Sequence, residues 1–115
     1  MNPAEYERMY RFEDHYWWFV SRRELVDSLV GHLQLPPRPI IVDVGCGTGA
    51  TALLLQRHGT VVGVDISPLA LSWSRQRGLN NLLLAAAERL PIVRDSVDVI
   101  VATDILEHLD DDVAV

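Results

Sequence analysis

Two aspartates and a run of glycines carry the groups that could bind a nucleotide. The stretch from Ile40 to Thr51 reads I-I-V-D-V-G-C-G-T-G-A-T, an apolar run that leads into a glycine-rich turn. Asp65 closes a second apolar run, twenty-two residues after Asp43. Glycines let a ligand approach the backbone, and the helix after such a turn offers unpaired N–H donors. An acidic residue at the end of the second strand is placed to accept hydrogen bonds from both ribose hydroxyls of an adenosine group.

The glycine turn, Gly45 to Ala50, fits two classes of adenosine ligand. It matches the dinucleotide pattern G-x-G-x-x-G/A and also the G-x-G-x-G of proteins that bind S-adenosylmethionine (SAM). Asp43 lies two residues before the first glycine, where a carboxylate would repel a pyrophosphate and attract the ammonium and sulfonium groups of SAM. The electrostatics therefore favour SAM, and a nicotinamide dinucleotide is the alternative.

Three further segments follow the glycine turn in order and at suitable spacing. They are V-V-G-V-D-I-S (Val61 to Ser67), A-A-A-E-R-L-P (Ala85 to Pro91) and S-V-D-V-I-V-A-T-D-I-L-E-H-L (Ser96 to Leu109). With V-D-V-G-C-G-T-G, they resemble the class I SAM-dependent methyltransferases over roughly residues 38 to 112. The resemblance is closest to the small-molecule group, which carries D-A-E-x-L-P and D-V-L-E-H-L at these places. It implies a Rossmann-like α/β fold, SAM as cofactor and a small-molecule acceptor.

The resemblance also implies which residues hold SAM. Asp43 and the backbone of the turn would face the methionine end of SAM. Asp65 would bind the ribose hydroxyls, and Ile66 would pack against the adenine. The residues of the turn expected at the cofactor are Gly45, Cys46, Gly47 and Gly49. Cys46 is interpreted as a small residue suited to close packing rather than as a reactive thiol.

The two later segments would complete the cofactor contacts. The backbone of Ala87 and Glu88 would meet the adenine edge, and Thr103 or Asp104 would meet the methionine group. Relatives commonly carry an aspartate where Ala86 stands, and that aspartate accepts a hydrogen bond from the adenine amino group. Because a hydrogen bond to a charged group contributes roughly 1.5–3 kcal/mol, Ala86 predicts weaker SAM affinity.

Glu107 and His108 follow the fourth predicted strand, beside the expected transfer site. His108 is the candidate general base, since histidine titrates near neutral pH. In some quinone-precursor O-methyltransferases an E-H pair here helps to bind a metal. The alternative is local packing within a helix, and no metal site is assigned.

The segment His15 to Phe19 reads H-Y-W-W-F, and Arg22 and Arg23 follow shortly after. It resembles the H-W-W-F-x-x-R-R segment of a methyltransferase subgroup that often occurs with glycan biosynthesis genes. Arg22 is a candidate partner for the SAM carboxylate, because a guanidinium can pair with it in bidentate fashion. The aromatics would either cover the cofactor cleft or anchor an N-terminal helix on the sheet.

Helices and strands alternate along the chain, which predicts a parallel sheet of order 3-2-1-4. Predicted helices cover residues 3–16, 21–33, 48–58 and 68–77, with a short helix from Leu106. Predicted strands cover residues 40–44, 60–64, 82–86 and 97–102. One face of the second helix is expected to carry Leu25, Val26, Leu29, Val30 and Leu33.

The composition of the chain argues against several classes of function. The chain has 115 residues, a net charge of −6 and no lysine, so all ten basic residues are arginine. An acidic chain without a basic stripe argues against a nucleic-acid substrate. No apolar run approaches the roughly 20 residues that span a bilayer, and the polar N-terminus does not resemble a secretory signal, so a cytoplasmic location is expected.

The predicted sheet has four strands, whereas the sheet of the family has seven. We therefore expect a helical segment over residues 1–35 and a SAM-binding domain over residues 36–115 that is incomplete at its C-terminal side. The fourth strand would be an apolar edge, which predicts self-association through that strand. The sequence favours a SAM-dependent methyltransferase for a glycan- or quinone-related small molecule. A catalytically silent SAM-binding fragment or subunit is the main alternative, ahead of a nicotinamide-dependent oxidoreductase.

Overall fold

The computed structural model describes residues 2–12, 17–86, 89–90 and 96–102. Within these residues, four helices precede or alternate with four strands. The helices are α1 (Pro3–Phe12), α2 (Trp17–Gly31), α3 (Ala50–Leu55) and α4 (Pro68–Gln76), and the strands are β1 (Ile40–Val44), β2 (Thr60–Asp65), β3 (Leu82–Leu84) and β4 (Val99–Val101). The short helix predicted from Leu106 and the end of the first predicted helix lie outside the described residues.

The four strands form one parallel sheet in the order β3-β2-β1-β4, as predicted. Asp43 of β1 lies opposite Gly63 of β2 and Val101 of β4, and Asp65 of β2 lies opposite Leu84 of β3. Because the strands are parallel, their carboxyl ends meet at one edge of the sheet, and this is where ligands bind in open α/β folds. The glycine turn and Asp65 both lie at that edge.

Apolar side chains pack on both faces of the sheet, which explains why β1 is a continuous apolar run. The larger cluster joins the sheet to α2 and α3, and its buried members are Val26, Val30, Ile41, Ala52, Leu55, Val61, Leu79 and Val101. The buried members of the smaller cluster are Val42, Val44 and Val64. Alternate residues of β1 therefore contribute to different clusters.

The buried face of α2 differs from the predicted one, which was expected to include three leucines. Val26 and Val30 are buried, whereas Leu25, Leu29 and Leu33 are 59, 60 and 51% exposed. The buried carboxylate of Asp27 accepts hydrogen bonds from the Arg57 guanidinium and lies 2.8 Å from His58 Nε2. These two residues follow α3. The polar contacts select the face of α2 that turns inward, so the leucine stripe remains outside.

Helix and strand ends also differ from the predicted ones. α2 begins at Trp17 rather than Ser21, and α3 spans only Ala50–Leu55 because the glycine turn takes the residues before it. β3 and β4 are shorter than predicted, whereas β2 extends to Asp65. The predicted start of α4 is confirmed, since the Ser67 hydroxyl accepts a hydrogen bond from Ala70 N at 3.2 Å. Within the described part of the chain, no helix is long and apolar enough to cross a membrane.

Candidate cofactor site

The glycine turn continues the hydrogen bonds of the sheet beyond β1. The backbone N–H groups of Gly45 and Cys46 both donate to Val64 O, at 2.7 and 3.0 Å. Gly45, Gly47 and Gly49 have positive φ angles of 73°, 57° and 91°. Three left-handed residues in five reverse the chain between β1 and α3, and this conformation favours glycine at each position.

Gly49 is required for space as well as for conformation. A Cβ at this position would lie 2.7 Å from Leu79 Cδ1 and 2.9 Å from Ser74 Oγ. The absence of a side chain therefore lets the α4 region pack directly against the turn. Gly63 of β2 acts similarly, because a Cβ there would lie 3.1 Å from Cys46 Sγ.

Asp65 joins the glycine turn to the loop that precedes α4. Its Oδ2 accepts a hydrogen bond from Gly47 N, and its Oδ1 accepts one from Ser67 N, both at 3.0 Å. A carboxylate has about four acceptor positions, so these two bonds leave capacity for further donors such as ribose hydroxyls. Asp65 thus has a structural role that the sequence did not predict, beside the cofactor role that it did.

Asp43 is buried at the end of β1, with 4% of its surface exposed. Burial, and then the negative charge of Asp65, raise the pKa of Asp43 from 3.8 to about 7. Both causes disfavour a negative charge here, so a further anion would be repelled and a cation would offset the cost. The electrostatics of the folded site therefore agree with the preference for SAM over a pyrophosphate.

Cys46 of the turn is buried, and its Sγ is 3.7 Å from Ser74 Oγ. Burial, and next the charge of Asp43, raise the pKa of the Cys46 thiol to about 12. The thiol is therefore protonated at neutral pH, and a thiol is a much weaker nucleophile than a thiolate. This supports the interpretation of Cys46 as a small packing residue.

Two residues of the α4 region support the turn and were missed from sequence. Ser74 is fully buried and its hydroxyl donates to Gly47 O at 2.8 Å. Arg77 Nε donates to Thr48 O at 2.9 Å. Both bonds join residues 27 or 29 positions apart. The only sequence signal was the i, i+3 spacing that puts Ser74 and Arg77 on one side of a helix.

The remaining predicted residues are distributed around the turn or lie outside the described residues. Ile66 follows Asp65 with 66% of its surface exposed, so its apolar surface is accessible to a ligand. Ala86 is half-buried and its carbonyl accepts a hydrogen bond from Arg89 N at 3.0 Å. Arg22 is half-buried on α2, and its pairing with the SAM carboxylate stays a prediction. The predicted residues outside the described ranges are Ala87, Glu88, Thr103, Asp104, Glu107 and His108.

A family of sequences described as a methyltransferase domain matches residues 42–115, which include the glycine turn and Asp65. The chain belongs to this methyltransferase family. Membership confirms the class I fold and SAM as the cofactor, and it decides against the nicotinamide dinucleotide that the glycine turn alone left open.

The similarity to other methyltransferases extends over most of the chain. A ubiquinone biosynthesis O-methyltransferase of Hahella chejuensis is 30% identical over the whole chain and 57% of its own length. The magnesium protoporphyrin IX methyltransferase of Synechocystis PCC 6803, solved with bound SAM, is 25% identical with a TM-score of 0.62, over 84% of this chain and 50% of that one. A methyltransferase structure from Methanococcus maripaludis has a TM-score of 0.79 at 15% identity, over 96% of this chain and 53% of that one, and shows the fold alone. The chain therefore spans about half the length of these relatives.

Proposed function

We propose that the protein transfers a methyl group from SAM to a small-molecule acceptor. The observation that carries this proposal is the buried carboxylate of Asp43, which lies two residues before the first glycine of the turn and is influenced by the negative charge of Asp65. A site that raises the pKa of its own carboxylate favours a cationic ligand. SAM carries an ammonium and a sulfonium group, and when bound it supplies an electrophilic methyl group.

The residues of this chain hold and orient the cofactor in this proposal. Asp43 takes the ionised form when a cation approaches, and the resulting attraction fixes the methionine end at the turn. Asp65 accepts the ribose hydroxyls while it keeps its bonds to Gly47 N and Ser67 N. Ile66 offers an exposed apolar surface to the adenine. Alignment of donor and acceptor is the main source of rate in such a transfer, so rigid support of the turn serves catalysis.

We propose a hydroxyl group of a quinone precursor or a glycan-linked intermediate as the acceptor. The ubiquinone biosynthesis O-methyltransferase at 30% identity supports the quinone class, and the H-Y-W-W-F segment supports the glycan class. A hydroxyl acceptor must lose a proton, and His108 is the proposed base. The cytoplasmic location and the domain division at residues 35 and 36 stay predictions.

Calorimetric titration tests the cofactor. S-adenosylhomocysteine and SAM are expected to bind more tightly than NAD, and Asp43→Asn is expected to weaken SAM binding. Tighter binding of NAD would contradict the proposal. A methyl-transfer assay with a catechol and with a nucleotide sugar then separates the two acceptor classes by the mass of the product. Cofactor binding without transfer to either probe would support the catalytically silent alternative instead.

A further inference from the structure

Helix α1 lies against the glycine turn although none of its ten residues is buried. A Cβ built on Gly47 would lie 3.5 Å from Met9 Sδ, so the helix contacts the turn at its second glycine. Tyr6, Met9, Tyr10 and Phe12 are half-buried, so the hydrophobic effect contributes to the docking of α1, and specific contacts add to it. Those contacts come from α4 and from the residue that follows it.

Arg77 joins α1 to the glycine turn through one guanidinium group. Its Nε donates to Thr48 O at 2.9 Å and its Nη2 donates to Tyr10 O at 3.0 Å. The guanidinium carbon also lies 4.5 Å from the centre of the Tyr10 ring, within the range of a cation–π interaction. The Tyr10 ring in turn packs on Trp73 with 4.6 Å between ring centroids. One side chain therefore contacts both the turn and the helix that covers it.

Side chains of three described residues bond to the peptide groups of the turn, in addition to the backbone bonds of Gly45 and Cys46 to Val64 O. Asp65 accepts from Gly47 N, Ser74 donates to Gly47 O, and Arg77 donates to Thr48 O. The first two hold the turn to β2 and α4. Only Arg77 among these three also holds α1. Arg77 is therefore bonded both to α1 and to a peptide group of the turn.

We propose that Arg77 is a positioning residue that couples the docking of α1 to cofactor binding. The proposal rests on the proposed function, since it concerns the same SAM site. When Arg77 holds Thr48 O and Tyr10 O together, the turn has its binding conformation and α1 is closed against it. Coupling of this kind is reciprocal, so the cofactor must stabilise the docked helix to the same degree that the docked helix improves cofactor affinity.

Arg77→Met tests the coupling, because methionine keeps an unbranched apolar stem and removes every guanidinium contact. Arg75→Met is the matched control, since Arg75 is an exposed arginine two residues before Arg77 and its replacement removes the same charge. Tyr10→Leu is a second variant, which removes the ring contacts and leaves the Tyr10 carbonyl and the bond to Thr48 O. Each protein is titrated with S-adenosylhomocysteine, and amide hydrogen exchange is followed by mass spectrometry with and without it.

In the wild-type protein, S-adenosylhomocysteine is expected to slow exchange in α1. In Arg77→Met, we expect roughly ten-fold weaker binding, within the usual range of coupling, and α1 exchange that is fast with or without ligand. Exchange in β1 and β2 should stay slow, which shows that the fold is intact. Tyr10→Leu should speed α1 exchange and weaken binding less, and Arg75→Met should match the wild type.

Wild-type affinity in Arg77→Met, or ligand-dependent protection of α1 that persists in it, would overturn the coupling and leave the proposed function standing. A purely structural role for Arg77 would speed α1 exchange in Arg77→Met while S-adenosylhomocysteine still binds with wild-type affinity, and that pair of results would also overturn the coupling. If the wild-type protein binds no S-adenosylhomocysteine at all, the proposed function fails, and the coupling fails with it.

Discussion

At the scale of single residues, Asp43 illustrates a site whose function opposes its stability. The folded protein retains the Asp43 proton up to a pH of about 7, whereas an unfolded aspartate loses its proton near its ordinary pKa of 3.8. Between these two values the folded state binds more protons than the unfolded state. The free energy of unfolding therefore falls as the pH rises from about 4 to about 7. A buried carboxylate retained under these conditions is typical of a binding site.

Asp43→Asn should remove that pH dependence, because asparagine has the same shape and no charge to bury. We expect the variant to unfold at higher urea concentration than the wild type above pH 7, by on the order of 2–4 kcal/mol, and to match it near pH 4. Urea unfolding at several pH values measures the difference. Glu24→Gln, at an exposed position of α2, is the control and should change little. A variant less stable than the wild type at pH 8 would contradict the raised pKa.

Asp65 has both a loop contact and a predicted ligand contact. Asp65→Asn should weaken S-adenosylhomocysteine binding by roughly 1.5–3 kcal/mol, the range for hydrogen bonds to a charged group. It should also lower the pKa of Asp43, because the negative charge of Asp65 is the second cause of that raised pKa. Calorimetry measures the affinity, and carboxyl NMR measures the pKa. If a folded variant binds S-adenosylhomocysteine with unchanged affinity, Asp65 has only the structural role of bonding to Gly47 N and Ser67 N.

At the scale of elements, the glycine turn brings β1, α3 and α4 together. Its backbone bonds to Val64 O extend the sheet, and its support by Ser74 and Arg77 comes from the α4 region. Helix α2 is a second example. The buried contacts of Asp27 set which face of this helix turns inward, and its leucines are therefore exposed. In both cases a few hydrogen bonds set the geometry within which apolar residues pack.

Gly49→Ala and Gly78→Ala separate conformational strain from crowding. Both glycines have positive φ, 91° and 106°, but an added Cβ meets Leu79 and Ser74 at Gly49 and nothing within 4 Å at Gly78. We expect Gly78→Ala to cost roughly 1–2 kcal/mol from strain alone. Gly49→Ala should cost roughly 1–3 kcal/mol more, the range for overpacking. Urea unfolding of both variants gives the comparison, and equal losses would show that crowding at Gly49 is relieved by small shifts.

At the scale of the whole molecule, the described sheet has two outer strands, β3 and β4, each paired on one side among the described residues. Ile100 of β4 and Leu84 of β3 are 55 and 59% exposed. Exposed apolar outer strands favour pairing with another chain. The sequence predicts self-association through β4, and this stays a prediction.

Ile100→Arg should therefore reduce self-association, since a charge on an outer strand disfavours strand pairing. Leu84→Arg places the same charge on the opposite outer strand and is the matched control. Light scattering at increasing protein concentration is expected to give a lower average mass for Ile100→Arg than for Leu84→Arg. A monomeric wild-type chain, or equal masses in the two variants, would contradict association through β4.

The sequence by itself determined the features that depend on neighbouring residues. The apolar run of β1, the glycine turn, Asp65 at the end of β2 and the Ser67-Pro68 start of α4 all follow from local patterns. Strand order followed as well, because parallel strands joined by helices have few allowed arrangements. The family resemblance supplied the cofactor, and the charge of Asp43 gave an independent physical reason for it.

Only the tertiary structure decided the contacts between distant residues. The inward face of α2 depends on Asp27 meeting Arg57 and His58, thirty or more positions away. The support of the turn by Ser74 and the junction of Thr48 with Tyr10 through Arg77 have no local signature, since Arg77 and Tyr10 are 67 residues apart. The raised pKa of Asp43 likewise depends on how deeply the fold buries it and on the proximity of Asp65. Each of these results from packing elements together, which a local sequence pattern does not encode.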